Sequence, residues 1–249
     1  MNFRSVSIFA LTAALLIGAP AAPAMDSTDA LGSGRVVIVP LNLGVRATSE
    51  VEPGVEPVWR ELLSHFAAKQ QPATALERKS AAALWNEVMT EVRAQPHPDV
   101  YQAYALFARR IADQVDYSAI VFPSLVTRAA RVQGQTAAWD GVRRHIDLGG
   151  PETVAGVTGT NDLVVASQGV RGQIAAASLH VAVLSPDGEL RFEGAGGLSV
   201  LQQIDEQEHK RGDAKVAVEL RQDAFADASE LREGIEAAFR RPLPASRAH

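Results

Sequence analysis

Ile174-Ala175-Ala176-Ala177-Ser178-Leu179-His180-Val181-Ala182-Val183-Leu184-Ser185-Pro186-Asp187-Gly188-Glu189-Leu190-Arg191-Phe192-Glu193-Gly194 is the stretch that decides the fold. A strand is expected from Gly172 to Leu184. Ser185-Pro186-Asp187-Gly188 has proline and aspartate at the central positions of a turn. A return strand is expected from Glu189 to Gln203. In it Leu190, Phe192, Leu198 and Val200 share one parity, and Glu189, Arg191 and Glu193 share the other. Such alternation means one covered and one wet face. Val181 and Val183 are expected to pair near Leu190 and Phe192, giving the apolar contacts that fix register.

Two further strands precede this hairpin. Arg35-Val36-Val37-Ile38-Val39-Pro40-Leu41 and Ser118-Ala119-Ile120-Val121-Phe122 are continuously apolar. Continuous rather than alternating apolarity predicts strands buried on both faces. Pro40 is expected to end the first, since proline cannot donate to a ladder; Pro123 interrupts the second, and the chain is expected to continue as extended, mostly polar residues through Ile146. A short strand is also expected within Gln71–Glu77 and another at Leu163–Ala166.

Helices fill the gaps. Val58, Leu62 and Phe66 recur every fourth residue behind Pro57, predicting an amphipathic helix to about Lys69. A second helix, with Ser80 as expected N-cap, faces inward with Ala81, Leu84, Trp85, Val88 and Val92. A third starts from the Asp99-Val100-Tyr101-Gln102 capping pattern and presents Tyr104, Phe107, Ala108, Ile111 and Val115. The last starts from Asp227-Ala228-Ser229-Glu230 and presents Leu231, Ile235, Ala238 and Phe239. The fold class is therefore α/β (α+β): a mixed sheet with helices packed on it and a long antiparallel C-terminal hairpin. One domain is expected over 35–241, after a flexible segment 25–34 and before a loose tail 242–249.

The first 24 residues, MNFRSVSIFALTAALLIGAPAAPA, carry one charge, Arg4. A short apolar stretch leads to Ala22-Pro23-Ala24. Charged start, short apolar middle and A-x-A end form a secretory signal, with cleavage expected before Met25. The apolar run falls short of the roughly 20 residues that span a bilayer. The chain has no cysteine, so neither disulfides nor a lipid-bearing lipobox cysteine are expected. Cutting 24 of 249 residues leaves 225, and losing one arginine takes the net charge from −5 to −6. A mildly acidic chain argues against nucleic acid as partner. A periplasmic or secreted, soluble protein without a membrane span is expected.

Chemistry is sparse. None of the six histidines has a second histidine at metal-ligand spacing, so no metal or cofactor is expected. His180 reads as a satisfied residue of the strand. Phe192-Glu193-Gly194-Ala195-Gly196-Gly197-Leu198 is glycine-rich but lies inside a strand. A phosphate loop would open a helix, so a bulge or close backbone approach is expected instead. No G-x-S-x-G elbow is present. The candidate contact segment is Trp139-Asp140-Gly141-Val142-Arg143-Arg144, with Trp139, Asp140, Arg143 and Arg144 as candidate binding residues, because tryptophan and arginine are enriched at interface hot spots. The competing reading is a hairpin turn with a packed indole and solvated arginines.

The VVIVPL and SAIVFPSLV strands and the hairpin Ser178-Leu179-His180-Val181-Ala182-Val183 through Glu189-Leu190-Arg191-Phe192-Glu193-Gly194 resemble a superfamily of bacterial envelope α/β domains. It includes CsgG, LpoB and the N-terminal domain of TolB. The resemblance spans about residues 35–240 and rests on structural motifs. It implies a non-enzymatic module that binds an envelope protein or assembles with itself. The alternative is a small-molecule-binding protein or a hydrolase, with loop 149–172 as a lid. Expression in a Gram-negative host should yield an exported chain whose N-terminal residue is Met25; N-terminal sequencing of the periplasmic fraction checks this.

Overall fold

The computed structural model describes residues 27–146, 164–166, 169–205, 217–240 and 242–243. The expected signal at 1–24, most of loop 149–172, most of the charged loop 205–213 and the tail beyond 243 lie outside them. In chain order the elements are α1 (Ser27–Leu31), β1 (Val36–Ile38), α2 (Val55–Ala68), β2 (Ala73–Ala75), α3 (Arg78–Arg93) and α4 (Val100–Ala112). Next come β3 (Ala119–Gln133), β4 (Thr136–Trp139), β5 (Val142–His145), β6 (Val164–Ala166), β7 (Gly169–Leu184) and β8 (Leu190–Val200). The last three are β9 (Gln202–Asp205), β10 (Ala217–Leu220) and α5 (Ala228–Arg240).

The sheet is mixed, as expected. Strands β2, β1 and β3 run parallel in that order, and β3, β7 and β8 follow antiparallel. The continuously apolar strands are covered on both faces. On one face Val36, Ile38, Val121, Leu179, Val181 and Val183 pack under α1, α2 and α5. On the other, Val37, Val39, Ile120, Phe122, Ala182 and Leu184 pack under α3 and α4. Alternate residues of one strand thus serve two cores, which is why no polar phase interrupts these runs.

Strand β3 is longer than its apolar run. It passes through Pro123, which pairs with Val181, and continues to Gln133 against β7. Proline is tolerated because the neighbour on its other side, β1, has already ended. There the Pro123 carbonyl accepts from the Asn42 amide (3.0 Å), and no carbonyl needs a donor from position 123. Asn42 (φ 61) then acts as a short piece of strand. Its Oδ1 accepts from Leu125 N (2.6 Å) and its Nδ2 donates to Leu125 O (3.2 Å). Past this point β4 pairs with β3, β5 pairs with β4, and the two enclose a third apolar cluster of Ala130, Val132, Trp139, Val142, Ile174 and Val200.

Other expectations are corrected. Segment 25–34 is not simply flexible: α1 buries Ala30 and Leu31 against the core. Glu77, not Ser80, caps α3, accepting from Ser80 N (3.1 Å). Asp99 stands at the N-cap of α4, but its carboxylate makes no capping bond. Asp227 does cap α5, accepting from Ser229 N (2.8 Å) and Glu230 N (3.3 Å). Pro242 and Leu243 are tied to the edge of β8, with Leu243 N donating to Glu193 O (2.8 Å), so the loose tail does not begin at 242. Val183 pairs with Phe192 as expected, and the same register puts Gly194 opposite Val181; a register shift between Val183 and Leu184 then places Leu190 opposite Leu184. Leu190 is exposed, because it sits at the hairpin tip beyond the covering helices.

The alternation expected along β8 fails after Glu193, and both faces are buried from Gly194 to Val200. Helix α5 lies directly on the strand. A Cβ on Gly196 would sit 1.9 Å from Gly234 O, and one on Gly234 would sit 2.2 Å from Gly197 O. A Cβ on Gly197 would meet the Trp139 indole at 2.6 Å. The glycine run is thus a close backbone approach combined with a register shift between Ala177 and Ser178. Gly196→Ala is expected to cost about 2–4 kcal/mol in urea unfolding, because α5 must lift from the sheet. Gly134→Ala, in open space at φ +61, should cost only about 1 kcal/mol, from backbone strain alone.

Candidate functional site

Strand parity places His180 on the same face as Ala182 and Leu184, which α3 and α4 cover. His180 is directly opposite Ser124 on β3 and Ala195 on β8. Helix α4 begins just above this point. Tyr104, in its first two turns, stacks on Phe122 with ring centroids 4.4 Å apart. On the N-terminal side of Val100 the helix has no further turns to cover the sheet. The result is a hollow of about 450 Å³ floored by β3, β7 and β8. Val45, Val100, Tyr101, Val126 and Leu243 contribute apolar walls, and Ser124, Arg128, His180 and Glu193 contribute polar groups.

Glu193 is the centre of the polar set. Its Oε1 accepts from the Tyr101 hydroxyl and lies 2.9 Å from His180 Nε2. An ionised carboxylate only accepts, so His180 carries its proton on Nε2. The hydrogen bond from His180 holds the Glu193 pKa below its ordinary value; the bond from Tyr101 and the His180 charge act the same way, against the opposing effect of burial. The Tyr101 hydroxyl is pushed up, first by burial and then by its bond to the Glu193 carboxylate. Burial also raises Tyr104, against a hydrogen bond with Ser124. The three groups therefore form a locked assembly at neutral pH, with Glu193 charged and Tyr101 protonated.

The expected contact segment is dispersed rather than brought together. Trp139 is buried, at 7% exposure, and its indole Nε1 donates to Ala177 O (3.0 Å). It packs in the core. Arg144 is also buried, at 8%. It reaches α5, where Nη1 bonds Glu233 and Nη2 donates to Glu230 O (3.2 Å), tying β5 to α5. Only Arg143 is exposed on the far face. Asp140 (φ 35) and Gly141 (φ 82) make the turn that the Asp-Gly pair signals. Asp140 folds back towards the hollow, accepting from Ser178 Oγ (2.6 Å), with Arg128 Nε 3.7 Å from the same Oδ2.

His180, Glu193 and Tyr101 were not singled out by the sequence reading. The available signal was a polar residue on a covered parity of β7, with a carboxylate on the facing strand. A larger hollow of about 760 Å³ lies at the far ends of β3 and β7; its described lining has one charged side chain, Arg131, and no converging polar set.

The pH dependence follows from the depressed pKa of Glu193. A carboxylate depressed on folding stabilises the fold above its unfolded value of 4.5, and that contribution is lost as pH falls through the lower folded value. Urea midpoints of wild type and Glu193→Gln should therefore differ at pH 7, by of the order of 1 kcal/mol given the partial exposure. They should converge below pH 4.5.

No known family model matches the chain, and no characterised protein shows significant sequence similarity to it.

Proposed function

We propose that this chain is a non-enzymatic binding protein of the cell envelope, exported by residues 1–24, which holds its partner at the hollow between α4 and the sheet. The single observation that carries the reading is the carboxylate-centred assembly of Tyr101, His180 and Glu193, fixed in place at the base of an open, largely apolar hollow. Fixed polar groups among apolar walls are what a recognition site needs: walls supply affinity and polar groups supply orientation. Val100 and Tyr101 stand exposed at the rim, at 39% and 37%, and offer a partner apolar surface that folding leaves uncovered. The envelope location rests on the signal-like N-terminus and on the hairpin residues that resemble the CsgG, LpoB and TolB domains. Among the described residues no helix is long and apolar enough to cross a membrane.

A second reading, a small-molecule carrier, is favoured by the same hollow, whose volume falls in the range of about 300–1,000 Å³ typical of such sites. Its proposed lid, loop 149–172, is largely outside the described residues.

Photo-reactive residues at Val100 and, separately, at Arg143 test the site in living cells. Protein adducts are expected from position 100 and not from position 143. They should disappear when Val126→Trp fills the hollow. Adducts of equal yield at both positions, or adducts indifferent to Val126→Trp, would sink the hollow as the protein-contact site. A hollow that captures only small molecules from an extract would support the second reading.

A further inference from the structure

The locked assembly leaves one acceptor unused. Both the Tyr101 and the His180 hydrogen bonds fall on Glu193 Oε1. Oε2 of the same carboxylate has no partner among the described residues, on a side chain that lines the hollow and is 21% exposed. An ionised carboxylate accepts on both oxygens, so this one keeps acceptor capacity for a donor that enters the hollow. What surrounds it narrows the chemistry that would complete it.

The walls are the rings of Tyr101 and Tyr104 and the aliphatic side chains of Val45, Val100, Val126 and Leu243. Aromatic faces beside a carboxylate attract cations: the rings through their quadrupole, the carboxylate through charge-assisted hydrogen bonds. The aliphatic walls accept an apolar stem. The remaining charges agree. Asp99, at the start of α4, has a carboxylate free of any capping bond and close enough to raise the Tyr101 pKa. Arg128 is the one Lys or Arg among the described lining residues, and Asp140 Oδ2 lies 3.7 Å from its Nε and offsets it. His180 donates its Nε2–H to Glu193. Neither Glu193 nor Asp99 has a Lys or Arg partner among the described residues.

We propose that the hollow is a binding site for an organic ammonium with an apolar stem, either a free alkylamine or the side chain of a lysine presented by another protein. The ammonium donates to Glu193 Oε2, and its stem lies between the tyrosine rings and the valines. This inference rests on the hollow being the binding site, and the test separates the two statements.

The exported chain, labelled with ¹⁵N, is titrated with n-butylammonium, n-butanol and butyrate while backbone amide shifts are followed by NMR. Butylammonium is expected to move the amides of Tyr101, Ser124, His180 and Glu193, and to bind at least about tenfold more tightly than the other two. Glu193→Gln should remove that preference. A Gly-Lys-Gly peptide with blocked ends, and the same peptide with acetylated lysine, identify the source. Tight binding of the first but not the second points to a partner's lysine, and binding of free butylammonium alone points to a small amine.

Equal binding of butanol or butyrate on the wild-type chain would overturn the ammonium proposal while leaving the hollow as a binding site. That comparison needs no variant to fold. An unchanged preference in Glu193→Gln would overturn it as well. No shift in the hollow with any probe would remove both the proposal and the reading beneath it.

Discussion

The antiparallel pairing of β3 with β7 is the constraint on which the other elements depend. It runs without a register shift from Ile120–Leu184 to Gln133–Arg171. Its near half lies between β1 and β8 and is sandwiched by helices. Its far half has lost β1 as a neighbour and takes up the β4–β5 hairpin instead. The β1 side is lost at Pro123 and Leu125, and β4 takes it up only from Arg131. A second strand cannot follow there, and a single asparagine side chain supplies the missing donor and acceptor. The hollow opens at this change of neighbour, and Val45, three residues past Asn42, forms part of its wall. The site exists because the spine outruns the helices that cover it.

A second constraint holds the far half in place. Backbone-to-backbone contact between Gly196 and Gly234 seats α5 on β8, with no side chain between them. Arg144 then reaches from β5 to the Glu230 carbonyl and to Glu233, so the hairpin is fastened to the helix as well as to β3. Burial raises the Glu230 pKa, with the Arg144 charge acting the other way. Most of the value of this contact is positional. A half-exposed ion pair adds little stability, but it fixes where Asp140 and the hollow's rim come to lie.

The buried strands and the helix faces were legible in the sequence because apolar period reports local geometry. Val58, Leu62 and Phe66, and the VVIV and AIVF runs, are examples. The glycines of β8 were legible as a close approach for the same reason: inside a strand, glycine excludes a phosphate loop. What the sequence could not supply was distance. Trp139 looked like a contact residue because hot-spot chemistry and core chemistry use the same side chain, and only the packing of β4 over β7 decides between them. Arg144 was misread for the same reason: its partners lie on α5, near the other end of the chain. Ser80 and Asp99 were assigned as caps from spacing, but Glu77 outcompeted the first, and the second found no amide in reach. In the sequence His180 reads as a satisfied strand residue and Glu193 as one residue of a wet parity; the meaning arises when β8 sets one beside the other.

That pairing also says something about why Glu193 is there. Burying a carboxylate against His180 and Tyr101 is a poor way to gain stability, since apolar side chains of similar volume usually do as well or better in such places. The position has an apolar solution close at hand. Its strand neighbour across the ladder is Ala182, and the same face carries Phe122 and Leu184 without interruption. The charged side chain stands where the apolar face gives way to an open hollow, with one oxygen secured by two donors. The stability it forgoes is small, of the order of the single hydrogen bonds involved. The orientation it gains is fixed from three directions: α4 through Tyr101, β7 through His180 and its own strand β8.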